Sequence, residues 1–163
     1  MNGVTPDPSD APRPGETVLD ASIPEQASLQ FIGHLRTPFA TRNDCPRQGD
    51  PAHGPDCHVV VEPRFEPALQ GLEPGTRLEL LYWLDRARRD LLTQSPKSNG
   101  ETRGTFALRS PVRPNPIGTS VVELIARDGA TLTVRGLDCL DGTPLLDIKP
   151  DRRNYCIQVP PKP

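Results

Sequence analysis

Residues 120–137 read SVVELIARDGATLTVRGL. Two runs rich in β-branched and aliphatic residues, 120–127 and 131–137, flank Asp128-Gly129, and Asp-Gly between two such runs is the strongest short-range signal for a β-hairpin. Working outward, residues 76–84 (TRLELLYWL) form an apolar strand that carries the single tryptophan, Trp83, and its aromatic residues read as core. Leu29, Phe31, Gly33 and Leu35 alternate in LQFIGHLR, the period of a half-buried strand. CHVVVE at 57–62 and PLLDIK at 144–149 supply two more strands, and 105–109 reads as a short strand running into a proline-rich loop. Residues 66–72 allow at most a short helical turn. The stretch 85–94 (DRARRDLLTQ) could be helical by propensity, but it follows an apolar strand without a break and leans to strand. Six or seven short strands with almost no helical periodicity predict an all-β chain. The expected architecture is a single small β-barrel, closed or partly open, with long loops, because closure removes exposed strand edges.

At 163 residues there is room for one ordinary domain. With 34% hydrophobic residues, 21 prolines and 13 glycines, part of the chain is expected to lie outside the packed core. Residues 1–30 contain five acidic residues and one basic, a net charge of −4. Residues 1–28 are therefore expected to be a disordered acidic tail, 29–151 the barrel, and 152–163 a C-terminal extension.

The whole chain carries −2, so the body beyond the tail is at +2. Between Arg86 and Arg113 seven basic residues face two acidic ones. Such a stripe can neutralise phosphates or simply lie solvated. Cys45, Cys57, Cys139 and Cys156 include no C-x-x-C pair, and the first residues do not resemble a secretory signal, so reduced thiols in a cytoplasmic protein are expected. The cysteines and histidines match no usual metal-ligand spacing, and no metal is expected. No apolar run is long enough to cross a bilayer. Nothing resembles a Gly-rich phosphate loop, a G-x-S-x-G elbow or an H-E-x-x-H helix, which removes weight from dinucleotide folds, P-loop phosphotransfer and the common hydrolases.

Two segments are more particular than a stable fold requires. In GTFALRSPVRPNPIG (104–118), Arg109, Arg113 and Asn115 sit among Pro111, Pro114 and Pro116. Proline fixes its own φ and holds the preceding residue extended, so the arginines are expected to form a preorganised anion site. In GLDCLDGTPLLDIK (136–149), Asp138, Asp141 and Asp147 lie close in sequence. Carboxylates so placed could accept ribose hydroxyls, bind a cation, act as a base, or only stabilise turns. Cys45-Pro46-Arg47-Gln48 adds a second arginine and an amide in another loop.

Thr37-Pro38-Phe39, Cys45-Pro46-Arg47-Gln48, the ALRS block leading into RPNPIG (113–118), and LDGTPLLDIKP (140–150) together resemble the TsaA-like family, also called TrmO or YaeB-like, over residues 29–150. The resemblance implies a six- to seven-stranded barrel, generally a homodimer, that binds S-adenosylmethionine outside the Rossmann-type methyltransferase fold. It also implies N6-methylation of N6-threonylcarbamoyladenosine beside the tRNA anticodon. Carried over residue by residue, the implied cofactor contacts are Pro46, Arg47, Gln48, Asp85, Arg86, Arg109, Thr119, Gly136, Leu137 and Asp138. Arg109 or Arg47 would face the methionine carboxylate, and Asp138 would accept from ribose or adenine. Asp138 and Asp141 are the candidates for a catalytic base, and Arg113, Asn115 and Lys149 for the tRNA substrate. This chain has Asp85-Arg86 where the bacterial tRNA enzymes commonly have His-Gln, and Asp151 where many members have tyrosine. It is expected to lack the C-terminal domain of the longer tRNA enzymes. A non-catalytic sensor of S-adenosylmethionine and a methyltransferase of small metabolites are the alternatives.

Overall fold

The computed structural model describes residues 11–19, 28–96 and 101–151. Among the described residues eight strands occur in chain order: β1 (Gly33–Arg36), β2 (Asp56–Val61), β3 (Arg77–Trp83), β4 (Thr93–Gln94), β5 (Arg103–Gly104), β6 (Ile117–Asp128), β7 (Thr131–Arg135) and β8 (Pro144–Pro150). Six of them form a closed barrel in the order β1-β2-β7-β6-β3-β8. The seam closes where Gly33 and His34 of β1 pair with Leu145 and Pro144 of β8.

Alternation explains the barrel. Every second residue of β3 (Leu78, Leu80, Tyr82), of β2 (Cys57, Val59, Val61) and of β7 (Leu132, Val134) is buried, and β6 contributes Ser120, Val122 and Leu124. Burying an aliphatic side chain of this size contributes about 1.5–3 kcal/mol, so these rows hold the barrel closed. The β6–β7 hairpin turns at Gly129, whose φ of 55° suits glycine, and Asp128 pairs with Thr131 as the sequence predicts. Register slips once between Leu124 and Ala126 in that hairpin, and once between Leu81 and Tyr82 where β3 meets β8.

The described residues divide into two compact units: the barrel unit, residues 30–82 and 119–151, and a second unit, residues 11–19, 28–29, 83–96 and 101–118. Within the second unit, Val18 bridges Leu91, and Leu19 N donates to Asp90 O at 2.6 Å. Buried Gln94 is its polar hub, donating to Thr105 Oγ1 at 2.9 Å and to Val112 O at 2.7 Å. Residues 11–19 of the predicted disordered tail thus run beside 90–95, while the rest of the tail, apart from Ser28, and the extension from 152 lie outside the described residues.

Three element predictions need correction. The strand predicted from Leu29 begins at Gly33, and Leu29 and Phe31 stay exposed. Of 85–94 only Thr93–Gln94 is strand. The strand predicted at 105–109 is instead a 3-10 turn, Thr105–Ala107, because Leu108 N bonds back to Thr105 O and the Thr105 hydroxyl is spent on Leu91 O. At most a short helical turn is expected at 66–72; the 3-10 helix found there begins earlier and spans Pro63–Leu69.

Candidate functional site

In the barrel unit, two of the sequence blocks meet at their glycines. A Cβ on Gly49 would lie 1.7 Å from Gly136 O, and one on Gly136 would lie 2.7 Å from Val121 O and 3.2 Å from Pro51 Cγ. Only bare backbone permits that approach, and Gly136 in addition has φ 112°. The loop bearing exposed Pro46, Arg47 and Gln48 is thereby seated against the strand that leads into Leu137 and Asp138. The Asp138 carboxylate is near enough to help burial raise the Cys45 thiol above its ordinary range.

Asp138 sits at the centre of a small polar network. Its Oδ1 lies 2.8 Å from Tyr82 Oη and 2.8 Å from Ser120 Oγ, and those two oxygens are 2.8 Å from each other. Tyr82 and Ser120 are buried, at 3% and 7% exposure, while Asp138 is half-buried. Burial first, and the neighbouring carboxylate second, push the phenol far above its ordinary range, so Tyr82 stays a donor. Among the described residues no partner binds Asp138 Oδ2. Neither Tyr82 nor Ser120 was singled out from the sequence. A serine at an inward-facing position of an apolar strand was the available signal.

Asp141, the other candidate base, stands apart from this network. Its Oδ1 accepts from Thr37 N at 3.0 Å and lies 3.2 Å from Arg36 Nε, and its own N–H donates to Phe39 O at 2.9 Å. Thr37 Oγ1 donates to Cys139 O. The Thr37-Pro38-Phe39 and Asp141-Gly142 motifs are therefore partners of one another. Asp141 also lines an open cleft of about 540 Å³ with Arg36, Thr37, Asp56, His58 and Thr131. Thr119 donates its hydroxyl to Glu79, and Lys149 pairs with Asp147.

The second unit holds Asp85, Arg86, Arg109, Arg113 and Asn115. Arg89 donates to Pro114 O at 2.6 Å and its guanidinium lies 5.5 Å from the centroid of the Trp83 ring, tying the 83–89 segment to the proline-rich loop. Arg113, which was expected to face a ligand, donates from its guanidinium to Ser110 O and Leu108 O within its own loop. Asn115 O accepts from Ile117 N, and the Asn115 side chain is exposed. Arg86 and Arg109, like Arg47 in the barrel unit, are exposed and make no hydrogen bond or ion pair among the described residues. Every other described arginine has a partner.

Among the described residues no group of three or more His, Cys, Asp and Glu side chains is placed to hold a metal ion. Cys45, Cys57 and Cys139 are free thiols, and burial raises Cys57 to about 11 and Cys139 to about 12. No helix among the described residues is long and apolar enough to cross a membrane.

Residues 34–155 match the family described as tRNA-methyltransferase O N-terminal domain. The chain belongs to this family. It is 53% identical over 133 residues to "Probable S-adenosyl-L-methionine-binding protein VirR" of Rhizobium radiobacter, covering 80% of this chain and 75% of that one. It is 42% identical over 121 residues to an "S-adenosyl-L-methionine-binding protein" of Archaeoglobus fulgidus, covering 74% and 86%. The crystal structure of TrmO from Pseudomonas aeruginosa superimposes with a TM-score of 0.63 at 34% identity, over 85% of this chain and 62% of that chain. The chain thus spans about three fifths of the TrmO chain that it resembles.

Proposed function

We propose that this chain is an S-adenosylmethionine-dependent methyltransferase acting on tRNA, at N6 of N6-threonylcarbamoyladenosine next to the anticodon. Family membership and the cofactor named for its relatives support the reading. The observation that carries it is the selection of unspent side chains. Arg47, Arg86 and Arg109 alone among the described arginines lack a partner, and they are the three that the family resemblance assigns to the cofactor.

The residues fit an adenosyl sulfonium ligand. Exposed guanidinium groups offer bidentate donors to an amino-acid carboxylate, and a half-buried carboxylate with one uncommitted oxygen offers an acceptor to a hydroxyl or amino group. Within the barrel unit, Arg47 is the candidate for the methionine carboxylate and Asp138 Oδ2 for the adenosyl donor. When bound, S-adenosylmethionine supplies an activated methyl group, and the protein's part is alignment and electrostatics. Should the acceptor nitrogen need to lose a proton, Asp138 Oδ2 is the free acceptor, whereas Asp141 serves the turn at Thr37.

The test is incubation with cofactor labelled in the methyl group and bulk tRNA, followed by nucleoside analysis. Label on the threonylcarbamoyl-modified adenosine is the expected result, and tRNA binding should weaken steeply with salt. A second reading is favoured by the names of the relatives at 53% and 42% identity, which describe binding alone. Tight cofactor binding without label in tRNA or in small molecules would establish that non-catalytic module.

A further inference from the structure

We propose that Tyr82 and Ser120 are positioning residues that fix the Asp138 carboxylate so that Oδ2 faces a hydroxyl or amino donor of the adenosyl group. The inference rests on the cofactor reading above and concerns how the barrel prepares one acceptor.

Three oxygens form a triangle 2.8 Å on each side, yet the two hydroxyls bring only two protons to its three edges. A buried tyrosine that merely needed a partner would be satisfied by Ser120 alone. Here both hydroxyls converge on a single oxygen of a half-buried carboxylate. That removes the rotational freedom of the Asp138 side chain and commits Oδ1, leaving Oδ2 as the acceptor on offer.

The backbone supports the same end. The register slip between Leu81 and Tyr82 skips Leu146 on β8, so Tyr82 pairs with Leu145 and both side chains are buried. Bulges of this kind re-aim side chains beside functional sites. Ser120 occupies the first position of the inward row Ser120, Val122, Leu124, at the end of the row where an acceptor can be reached.

A double-mutant cycle with S-adenosylmethionine as the titrant decides the matter, read by calorimetry on the full chain, with thermal melting to check folding. Asp138→Ala and Tyr82→Phe should each weaken binding, by roughly 10–100-fold and roughly 5–20-fold, as for loss or misorientation of a charge-assisted bond. The decisive comparison is Tyr82→Phe added to Asp138→Ala, which should weaken binding no further. Packing damage alone would persist in the double variant, so additive losses overturn the inference. Unchanged affinity in Tyr82→Phe with normal wild-type binding overturns it too, and leaves the cofactor reading standing. Wild-type protein that fails to bind S-adenosylmethionine overturns both. If Tyr82→Phe does not fold, Ser120→Ala paired with Asp138→Ala closes the same cycle.

Discussion

Gly49→Ala isolates the seating of the Arg47 loop, because it adds one methyl group and changes no charge. The new Cβ would lie 1.7 Å from Gly136 O and 2.4 Å from Gly136 C, both backbone atoms. Ordinary contact begins at 3.4 Å, so one strand of backbone must retreat by about 1.7 Å. No flexible side chain can absorb that shift. Gly49 does not have a positive φ, so the penalty is purely one of space. Overpacking of this kind costs roughly 1–3 kcal/mol and occasionally more. At roughly 2–4 °C per kcal/mol for a chain of this size, the upper figure lowers Tm by about 6–12 °C. Displacement of the loop should also weaken S-adenosylmethionine binding by roughly tenfold or more. Calorimetric melting and titration measure the two effects together. Gly104→Ala, where nothing lies within 4 Å of the added atom, is the control and should shift stability by no more than roughly 0.5 kcal/mol. A Gly49→Ala protein with wild-type Tm and wild-type affinity would refute the close approach of the two loops and the steric reasoning built on it.

Arg47→Ala and Arg109→Ala should each reduce S-adenosylmethionine affinity by roughly 1.5–3 kcal/mol with little change in Tm, since neither side chain has a partner to lose. Arg113→Ala should do the reverse, lowering Tm through two orphaned loop carbonyls while cofactor affinity in titration calorimetry changes little. Thiol labelling of the native protein should modify Cys45 before Cys57 and Cys139, which are buried and raised to about 11 and about 12, and mass mapping reads the order. The same two thiols make stability fall as pH rises from about 9 towards 12, because the unfolded chain ionises them from the ordinary value of 9.0 while the folded chain keeps their protons. Replacing both by alanine should flatten that alkaline limb in denaturant titrations.

The parts of the fold that sequence made legible are those where local signals and burial agree. Asp128-Gly129 names its own hairpin, and the alternating leucines of TRLELLYWL fall on the inside of β3 as their spacing requires. Where side chains are used in unanticipated bonds, legibility fails. Thr105 and Phe106 favour strand by propensity, but the Thr105 hydroxyl is captured by Leu91 O and the backbone closes into a tight turn. Arg113 reads as a ligand-facing group because its prolines stiffen the loop, yet the same stiff loop has carbonyls that need donors, and Arg113 supplies them. The Asp138 site was half legible. A carboxylate beside a turn can be noticed from sequence, whereas its tyrosine partner lies 56 positions away on a strand whose aromatic residues read as packing.

Barrel closure in this protein is a matter of counting. With the skipped residue at Leu146, Leu145 reaches the interior opposite Tyr82 and also meets Gly33 at the seam. Regular pairing from Leu81 onward would put Leu146 opposite Tyr82, turn Leu145 to the solvent side, and offer β1 the wrong face of β8. Residue number within β8 is thus held to odd-even parity by the seam itself, so changes in length should be tolerated in the surface connections and not in this strand.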